Sequence, residues 1–282
     1  MDSSKFFIVG ANGQLGTALK KKYPDAKWAD ISELDITNEA SVNSFDWSGI
    51  EVILNAAAYT NVDGAETPEG RVLAWKVNAT AVSTLSRIAS EHNFTLVHIS
   101  SDYVFDGSMV PHDEDESFSP LSVYGASKAA GDIAVMQTSR HYLLRTSWVI
   151  GEGNNFVRTM LELAIKGVNP TVVADQVGRL TFTSTVVNAI DHLLKTKADY
   201  GTYNISNDGE PSSWANITRK IYELASLKNT VTDISTAGYY KGKENIAPRP
   251  LLSELNLKKI KATGLKINNW QADLLDYISA NT

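Results

Sequence analysis

The stretch that most limits the possible folds is FFIVGANGQLGTAL, residues 6–19, in which an apolar run leads through three glycines into a helix-periodic segment. Glycines between a strand and a helix permit a tight turn and a close approach of the backbone to a pyrophosphate, while the helix N-terminus offers N–H groups to the phosphates. Here Gly10, Gly13 and Gly16 are spaced G-x-x-G-x-x-G, whereas the dinucleotide fingerprint is G-x-G-x-x-G. Taken alone, the turn indicates either a dinucleotide site or an ordinary glycine-rich turn.

An acidic residue downstream favours the dinucleotide interpretation. Asp30 ends the second strand-like run, and a carboxylate in that place accepts hydrogen bonds from the adenosine ribose. The following LDI, residues 34–36, is a candidate lining for the adenine. The alternative is that Asp30 and Asp35 are merely strand-end and capping residues.

Short β-branched, apolar runs alternate with helix-periodic segments, which predicts an α/β fold of the Rossmann type with a doubly wound parallel sheet. The predicted strands are FFIVG (6–10), AKWAD (26–30), EVILNAAA (51–58), TLVHIS (95–100) and HYLLRTS (141–147). The predicted helices of this part lie near 14–22, 38–46, 69–92 and 121–137.

The pattern loosens after about residue 150. Further helices are predicted at 155–167, 183–197 and 212–226, and a strand at 170–175. We expect residues 1–150 to form a nucleotide-binding core and residues 151–282 to form mainly a smaller substrate-binding lobe, with a segment at about 170–200 returning to the core.

Composition excludes several classes of protein. The chain has 282 residues, is 43% hydrophobic and has a formal net charge of −6, so it can bury a sizeable core and is a poor candidate for nucleic-acid binding. It has no cysteine, which excludes disulfides and thiolate metal sites. The N-terminal MDSSKFFIVG lacks the pattern of a signal peptide, and no window is apolar enough to span a bilayer. We therefore expect a cytoplasmic protein with no membrane partner.

The candidate chemical centre combines a hydroxyl, a phenol and an ammonium. Ser101 follows the fourth predicted strand, and VYGASKAAGD places Tyr124 and Lys128 at an i, i+4 spacing on one face of a helix. The carboxyl edge of a parallel sheet is where ligands bind, so these groups are expected to meet there. A phenol titrates near pH 10 in water and needs a nearby positive charge to act near neutrality. The alternative is an ordinary surface pair.

The sequence resembles the extended, nucleotide-sugar-modifying branch of the short-chain dehydrogenase/reductase superfamily, and within it the family of dTDP-4-dehydrorhamnose reductases. The resemblance is carried by GANGQLG, LDITN, NAAAYTNVDGAE, VNA, SSDYVFDG, SPLSVYGASKAAGD, RTSWVIG, NFV, DQVGRLT and RP. It implies NADH or NADPH as cofactor and reduction of the C4 keto group of dTDP-4-dehydro-L-rhamnose to dTDP-L-rhamnose.

The resemblance also implies residue roles. Tyr124 would be the general acid, Lys128 would hold the nicotinamide ribose and lower the pKa of Tyr124, and Ser101 would bind the C4 carbonyl oxygen. The residues implied at the cofactor are Gly10, Asn12, Gly13, Gln14, Leu15, Gly16, Asp30, Asp35, Ile36, Ala56, Ala57, Ala58, Tyr59, Tyr124 and Lys128. Those implied at the sugar nucleotide are Val62, Asp63, Ser101, Asp102, Tyr103, Trp148, Asn155 and Arg249.

We assign no metal. The acidic run HDEDES, residues 112–117, is predicted to be a solvated loop, and the five histidines lack the spacing of zinc ligands. Some members of the resembled family form metal-bridged dimers through an acidic residue at the position of Ala18. We expect a monomer or a homodimer without that bridge.

Two rival functions stay open. A nucleotide-sugar epimerase or dehydratase would share the fold, although a dehydratase carries an aspartate-glutamate pair where this chain has Asp102 and Tyr103. A regulatory subunit that binds NAD(P) without turnover would be expected to lose part of the serine, tyrosine and lysine set, which is complete here.

Overall fold

The centre of the molecule is a parallel sheet. A computed structural model describes residues 2–281. Its strands are β1 (Phe6–Val9), β2 (Lys27–Ala29), β3 (Val52–Asn55), β4 (Thr95–Ser101), β5 (His141–Thr146), β6 (Val149–Ile150), β7 (Thr171–Val173), β8 (Val177–Gly178), β9 (Thr181–Phe182), β10 (Gly201–Ile205), β11 (Ser212–Ser213) and β12 (Thr232–Ile234). Six of them form the central sheet in the order β2-β1-β3-β4-β5-β10, and every neighbouring pair is parallel. The predicted α/β class with a doubly wound parallel sheet is confirmed.

Helices cover both faces of this sheet. They are α1 (Gln14–Lys22), α2 (Glu39–Ser44), α3 (Pro68–Trp75), α4 (Ala81–Glu91), α5 (Val123–Met136), α6 (Phe156–Ile165), α7 (Thr183–Thr196), α8 (Trp214–Leu224), α9 (Thr236–Tyr240), α10 (Lys258–Ala262) and α11 (Trp270–Ser279). Every helix named from the sequence is present within a few residues of its predicted limits. The helix predicted at 69–92 is, however, two helices joined by a π turn at Lys76–Thr80.

Successive strand residues supply two separate cores, because side chains alternate between the faces of a sheet. On one face Ile8 and Leu54 pack with Leu19 of α1 and Ile190 of α7. On the other face Ile53 and its neighbours pack with α4 and α5. Both faces are covered, which explains why the strands have nearly continuous apolar sequences.

The C-terminal part of the chain contributes both to the central sheet and to a separate apolar core. Strand β10 pairs with β5 at the edge of the central sheet, and α7 packs on α1. Helices α6, α8 and α11 instead surround a third core that contains Trp270 and Ile221. The sequence analysis names no strand at 201–205, since GTYNI alternates polar and apolar residues over only five positions.

The prediction that residues 112–117 form a solvated loop is wrong in part. His112 is fully buried and stacks on Phe105 with ring centroids 4.5 Å apart. The backbone N–H of Asn204 in β10 donates to the Glu114 carboxylate at 3.0 Å, and Glu116 pairs with His112. The run therefore ties the edge strand to the chain segment after β4, which a count of acidic residues does not reveal.

Candidate active site

The glycine turn brings three pieces of backbone into contact at the carboxyl end of β1. Gly10 has a φ of +75°, and a Cβ there would lie 2.6 Å from the Cα of Ala57, just beyond β3. A Cβ on Gly16 would collide with the carbonyl oxygen of Gly10. Gly13 precedes α1 without a side-chain cap, the arrangement in which an anion can meet the N–H groups of the first turn.

Asp30 holds this turn from the end of β2. Its carboxylate accepts from the backbone N–H of Asn12 at 2.9 Å and from that of Ile31 at 2.7 Å. The same carboxylate borders a cavity of about 350 Å³, which we call the cofactor groove. The other lining residues are Val9, Gly10, Gly13, Ile31, Leu34, Asp35, Ile36, Thr37, Ala56, Ala57, Ala58, Tyr59 and Val77.

Asp35 has a local partner within the groove. The hydroxyl and the backbone N–H of Thr37 donate to its carboxylate at 2.6 and 2.9 Å, and these bonds lower the pKa of Asp35. Asp35 thus stabilises its own loop, as the capping alternative predicts.

The loop after β3 is fixed by Asn78 in the π turn. Its amide accepts from the backbone N–H of Tyr59 at 2.9 Å and donates to the carbonyl of Tyr59 at 3.1 Å and to Ser127 at 3.0 Å. Asn78 is 1% exposed. Helix α5 and the wall of the cofactor groove are therefore linked by one buried side chain.

A second cavity, of about 470 Å³, continues the groove and shares Gly13, Ala56 and Ala58 with it. We call it the catalytic cavity. Its lining residues are Gly13, Gln14, Leu15, Ala56, Ala58, Thr60, Val62, Ile99, Ser100, Ser101, Asp102, Tyr103, Tyr124, Lys128, Thr146, Ser147, Trp148, Val149 and Val186. The hydroxyl, phenol and ammonium that the sequence analysis singles out thus border one space.

The catalytic wall is formed by β4 and α5. Ser101 ends β4, and Tyr124 and Lys128 lie one helical turn apart in α5. The Lys128 ammonium donates to the carbonyl of Ile99 at 2.7 Å. The ring of Tyr124 meets that of Tyr103 edge to face, with centroids 5.5 Å apart. The i, i+4 spacing therefore puts both α5 side chains against the same strand.

Burial dominates the ionisation of this wall. It raises the pKa of Tyr124 to about 12, while a hydrogen bond with Ser101 acts in the opposite direction. It lowers the pKa of Lys128 to about 8, opposed by the charge of Asp132. Desolvation of the phenol is the largest influence on the pKa of Tyr124, and a lowering of this pKa by Lys128 stays a prediction.

Asp102 lies directly behind Ser101. The Ser101 hydroxyl donates to the Asp102 carboxylate at 3.0 Å and accepts from the backbone N–H of Tyr103 at 3.2 Å. Burial raises the pKa of Asp102 to about 6, although hydrogen bonds from Ser253 and Ser101 oppose the shift. These two hydrogen bonds fix the orientation of the Ser101 hydroxyl in this structure.

A buried ion pair continues the polar face of α5. Asp132, one turn beyond Lys128, accepts from Nε of Arg145 in β5 at 3.1 Å, and both side chains are at most 1% exposed. Arg145 also donates to the carbonyl of Glu114 at 2.9 Å and lies over the ring of Phe105. Arg145 therefore fixes the Asp132 carboxylate in place on the same face of α5 as Lys128.

Asp63 and Arg249, which do not line the catalytic cavity, form an ion pair. The two guanidinium nitrogens lie 2.8 and 2.9 Å from the two carboxylate oxygens. Asp63 also accepts from the backbone N–H of Ala247 at 3.1 Å, and Arg249 lies over the ring of Tyr240. The pair joins the loop after β3 to the segment near residue 248, while Val62 packs in the same small cluster as Tyr124.

Asn155 occupies a structural position at the start of α6. Its side-chain oxygen accepts from the backbone N–H of Arg158, and its amide nitrogen donates to the carbonyl of Gly151 and to the hydroxyl of Tyr277, both at 2.8 Å. The structure therefore engages both ends of this side chain within the protein. A contact with the diphosphate stays a prediction.

Comparison with known proteins identifies the family. The model of the RmlD substrate binding domain family matches residues 4–282. The chain belongs to this family. It is 38% identical to a dTDP-4-dehydrorhamnose reductase of Aggregatibacter actinomycetemcomitans, over 96% of this chain and 97% of the relative. It is 32% identical to the spore coat polysaccharide biosynthesis protein SpsK of Bacillus subtilis, over 98% and 97% of the two chains.

A solved member of the RmlD family has the same fold. The crystal structure of dTDP-4-dehydrorhamnose reductase from Bacillus anthracis in complex with NADP matches with a TM-score of 0.89 and 34% identity, over 98% of this chain and 99% of that one. The corresponding Clostridium acetobutylicum structure matches with a TM-score of 0.90 at 34% identity and the same coverage. Both comparisons span nearly the whole of each chain.

Three structural findings bear on metals and membranes in this RmlD-family chain. Ala18, at the position where an acidic residue would be needed for a metal bridge, packs against the apolar core. In residues 2–281 no group of three His, Cys, Asp or Glu side chains is arranged to hold a metal ion. Over the same range no helix has the length and apolar character to cross a bilayer.

Several residues that shape the site of this RmlD-family member are not predicted from the sequence. Asp132 could have been found, since it continues the i, i+4 series of Tyr124 and Lys128. Asn78 could have been noticed in the VNA motif, but its partners are distant in sequence. Arg145 gives no local signal, because its role depends on which segments the fold brings beside β5.

Proposed function

We propose that this chain catalyses the NAD(P)H-dependent reduction of the C4 keto group of dTDP-4-dehydro-L-rhamnose to give dTDP-L-rhamnose. The observation that carries the proposal is that Ser101, Tyr124 and Lys128 border one cavity that is continuous with the glycine-lined groove. A hydroxyl, a phenol and an ammonium beside a dinucleotide groove suit carbonyl reduction. Family membership and the names of relatives at 31% to 38% identity support the choice of sugar.

The groove fits NAD(P)H. Gly13, the residue just before α1, lines the groove and has no side chain, so a pyrophosphate could meet the N–H groups of the first turn there as dinucleotide folds require. Asp30 is held at the edge of the same groove, where it would accept from the ribose hydroxyls. When bound, the reduced nicotinamide supplies the hydride to C4.

The protein supplies the proton. Tyr124, with a pKa raised to about 12, is protonated at neutral pH, which is the form that a general acid needs. The Ser101 hydroxyl borders the same cavity and donates to Asp102 in this structure; on substrate binding it would turn this proton to the carbonyl oxygen as negative charge develops there. Lys128 would bond to the nicotinamide ribose and help to stabilise the phenolate left after proton transfer.

The sugar nucleotide would lie between the catalytic wall and the C-terminal lobe. We assign Val62, Asp63, Asp102, Tyr103 and Trp148 to the sugar side and Asn155 and Arg249 to the diphosphate side. Residues 1–150 would then be the cofactor-binding core and residues 151–282 mainly the substrate lobe, with β10 and α7 in the core. We further propose a monomer or homodimer that works in the cytoplasm, where nucleotide sugars are made.

The direct test is oxidation of NAD(P)H with freshly prepared dTDP-4-dehydro-L-rhamnose, with identification of the product by NMR. The proposal predicts turnover to dTDP-L-rhamnose, and no oxidation when the sugar is omitted. Cofactor binding without turnover would contradict it and would favour the regulatory binding subunit.

A further inference from the structure

Trp148 has a backbone conformation that its own chemistry disfavours. Its φ is +48°, a left-handed value that is rare for a bulky residue and persists only where the surroundings impose it. The same residue borders the catalytic cavity together with Tyr124 and Lys128. Strained positions of this kind cluster at functional sites, and two neighbours hold Trp148 in this conformation.

Trp214, at the start of α8, is the first of these neighbours. Its indole stacks on that of Trp148 with ring centroids 3.7 Å apart and planes inclined by 20°. Phe156 of α6 packs on Trp214 in turn, with centroids 4.4 Å apart. Among the described residues Trp148 lines the catalytic cavity and Trp214 does not. Trp214 therefore contacts the cavity wall from behind.

Gly178, in β8, is the second neighbour. A Cβ on this residue would lie 3.0 Å from Cζ2 and 3.1 Å from Cε2 of Trp148. Strand β8 pairs with β11, and the partner of Val177 is Ser213, the residue just before Trp214. The short β8–β11 ladder thus places Gly178 and Trp214 beside the same indole.

We propose that Trp214 and Gly178 are positioning residues that hold the Trp148 indole as the fixed wall of the sugar site. The inference rests on the proposed function for the identity of the sugar. A flat indole wall suits the apolar C–H face of a 6-deoxyhexose, and its contact is the same in the ground state and in the transition state. Removing a contact of that kind raises KM and leaves kcat nearly unchanged.

The test compares Trp214→Ala, Trp214→Phe and Gly178→Ala with the wild type. If the competent arrangement of Trp148 falls to about one tenth of molecules in Trp214→Ala, the KM for the keto sugar rises about tenfold. We expect kcat and the NAD(P)H dissociation constant to stay near their wild-type values. Trp214→Phe, which keeps an aromatic ring, should restore most of the affinity. Gly178→Ala should raise KM although both indoles are present.

Circular dichroism reports the stack independently of turnover, because two stacked indoles give an exciton couplet that separated indoles lack. The couplet should disappear in Trp214→Ala and stay in Trp75→Phe, a control at an exposed tryptophan of α3. A folded Trp214→Ala variant that loses the couplet but keeps the wild-type KM would overturn the proposal. So would a variant in which KM rises but kcat and cofactor affinity also fall, since that would indicate general damage.

Binding of dTDP-L-rhamnose, measured by calorimetry, separates this inference from the proposed function. Absence of turnover in the wild type would contradict the reductase assignment alone. Equal affinity of the wild type and Trp214→Ala for the nucleotide sugar would overturn the positioning role, whatever reaction the site performs.

Discussion

At the scale of single residues, the protonation of the catalytic wall follows from burial. Tyr124 stays protonated because its pKa is raised to about 12. Lys128 is 2% exposed, and its pKa falls to about 8. Near neutral pH Tyr124 thus carries the proton that it would donate and Lys128 carries its positive charge, but the pKa of Lys128 lies much closer to neutral pH.

The lowered pKa of Lys128 predicts the pH dependence of the reaction. Lys128 is charged below its pKa of about 8 and neutral above it, so kcat/KM should decline as the pH rises through that value. The charge of Asp132 favours the ammonium form of Lys128. Burial and the charge of Lys128 hold the pKa of His98 well below its usual range, so neighbouring His98 is neutral. The measurement is a pH profile of kcat/KM. Lys128→Met should be slow throughout without this decline, and a wild-type profile that stays flat far above pH 8 would contradict the role of Lys128.

Asp30 predicts the cofactor preference. Its carboxylate is fixed by Asn12 and Ile31 at the edge of the cofactor groove. Two unit charges about 4 Å apart at an effective dielectric near 20 repel by roughly 4 kcal/mol before screening. We therefore expect NADH to serve at least as well as NADPH, and Asp30→Asn to shift kcat/KM toward NADPH. A many-fold preference of the wild type for NADPH would show that Asp30 does not face the ribose.

At the scale of elements, α5 carries a row of buried polar side chains along one face. Tyr124, Lys128 and Asp132 follow one another at intervals of one turn. The first two border the catalytic cavity, and the third is fixed by Arg145 from β5. The helix is also anchored through the hydrogen bond between Ser127 and Asn78. Its position relative to β4 is therefore set by buried polar contacts as well as by packing.

The Arg145–Asp132 pair predicts a large effect on stability. Asp132→Asn would leave a buried guanidinium without its charge partner, and breaking such a pair typically costs 3–5 kcal/mol, so we expect a loss of about that size in the free energy of unfolding. The measurement is urea denaturation. As a matched control, Asp233→Asn removes the partner of Arg219 on the surface, where about 0–1 kcal/mol is expected. Equal effects of the two variants would show that the buried pair is dispensable.

At the scale of the whole molecule, the central architecture could be predicted because it depends on local signals. Alternating apolar strands and amphipathic helices specify a parallel sheet, and the carboxyl ends of its strands must meet at one edge. That rule alone brings Ser101 toward the helix of Tyr124 and Lys128. The glycine turn and Asp30 are likewise close in space because β1 and β2 are neighbours.

The features that could not be predicted are pairings between distant segments. Trp148 and Trp214, like Asp63 and Arg249, are far apart in the sequence and are brought together only by the fold. The acidic run looks like a solvated loop because a sequence does not show that His112 and Glu114 find partners beside β10. The raised pKa of Tyr124 could not be predicted either, since it follows from burial of the phenol in the folded chain.

The central claim is that Tyr124 delivers the proton during reduction, and Tyr124→Phe tests it most directly because this change removes one oxygen and keeps the ring. A positioned general acid typically contributes about 10² to 10⁴ in rate. We expect kcat with dTDP-4-dehydro-L-rhamnose to fall by that factor while the NAD(P)H dissociation constant changes little. Tyr200→Phe, the same substitution at a hydroxyl that contacts Thr95 at the opposite end of β4, should keep wild-type kcat. A Tyr124→Phe variant with undiminished kcat would contradict the account.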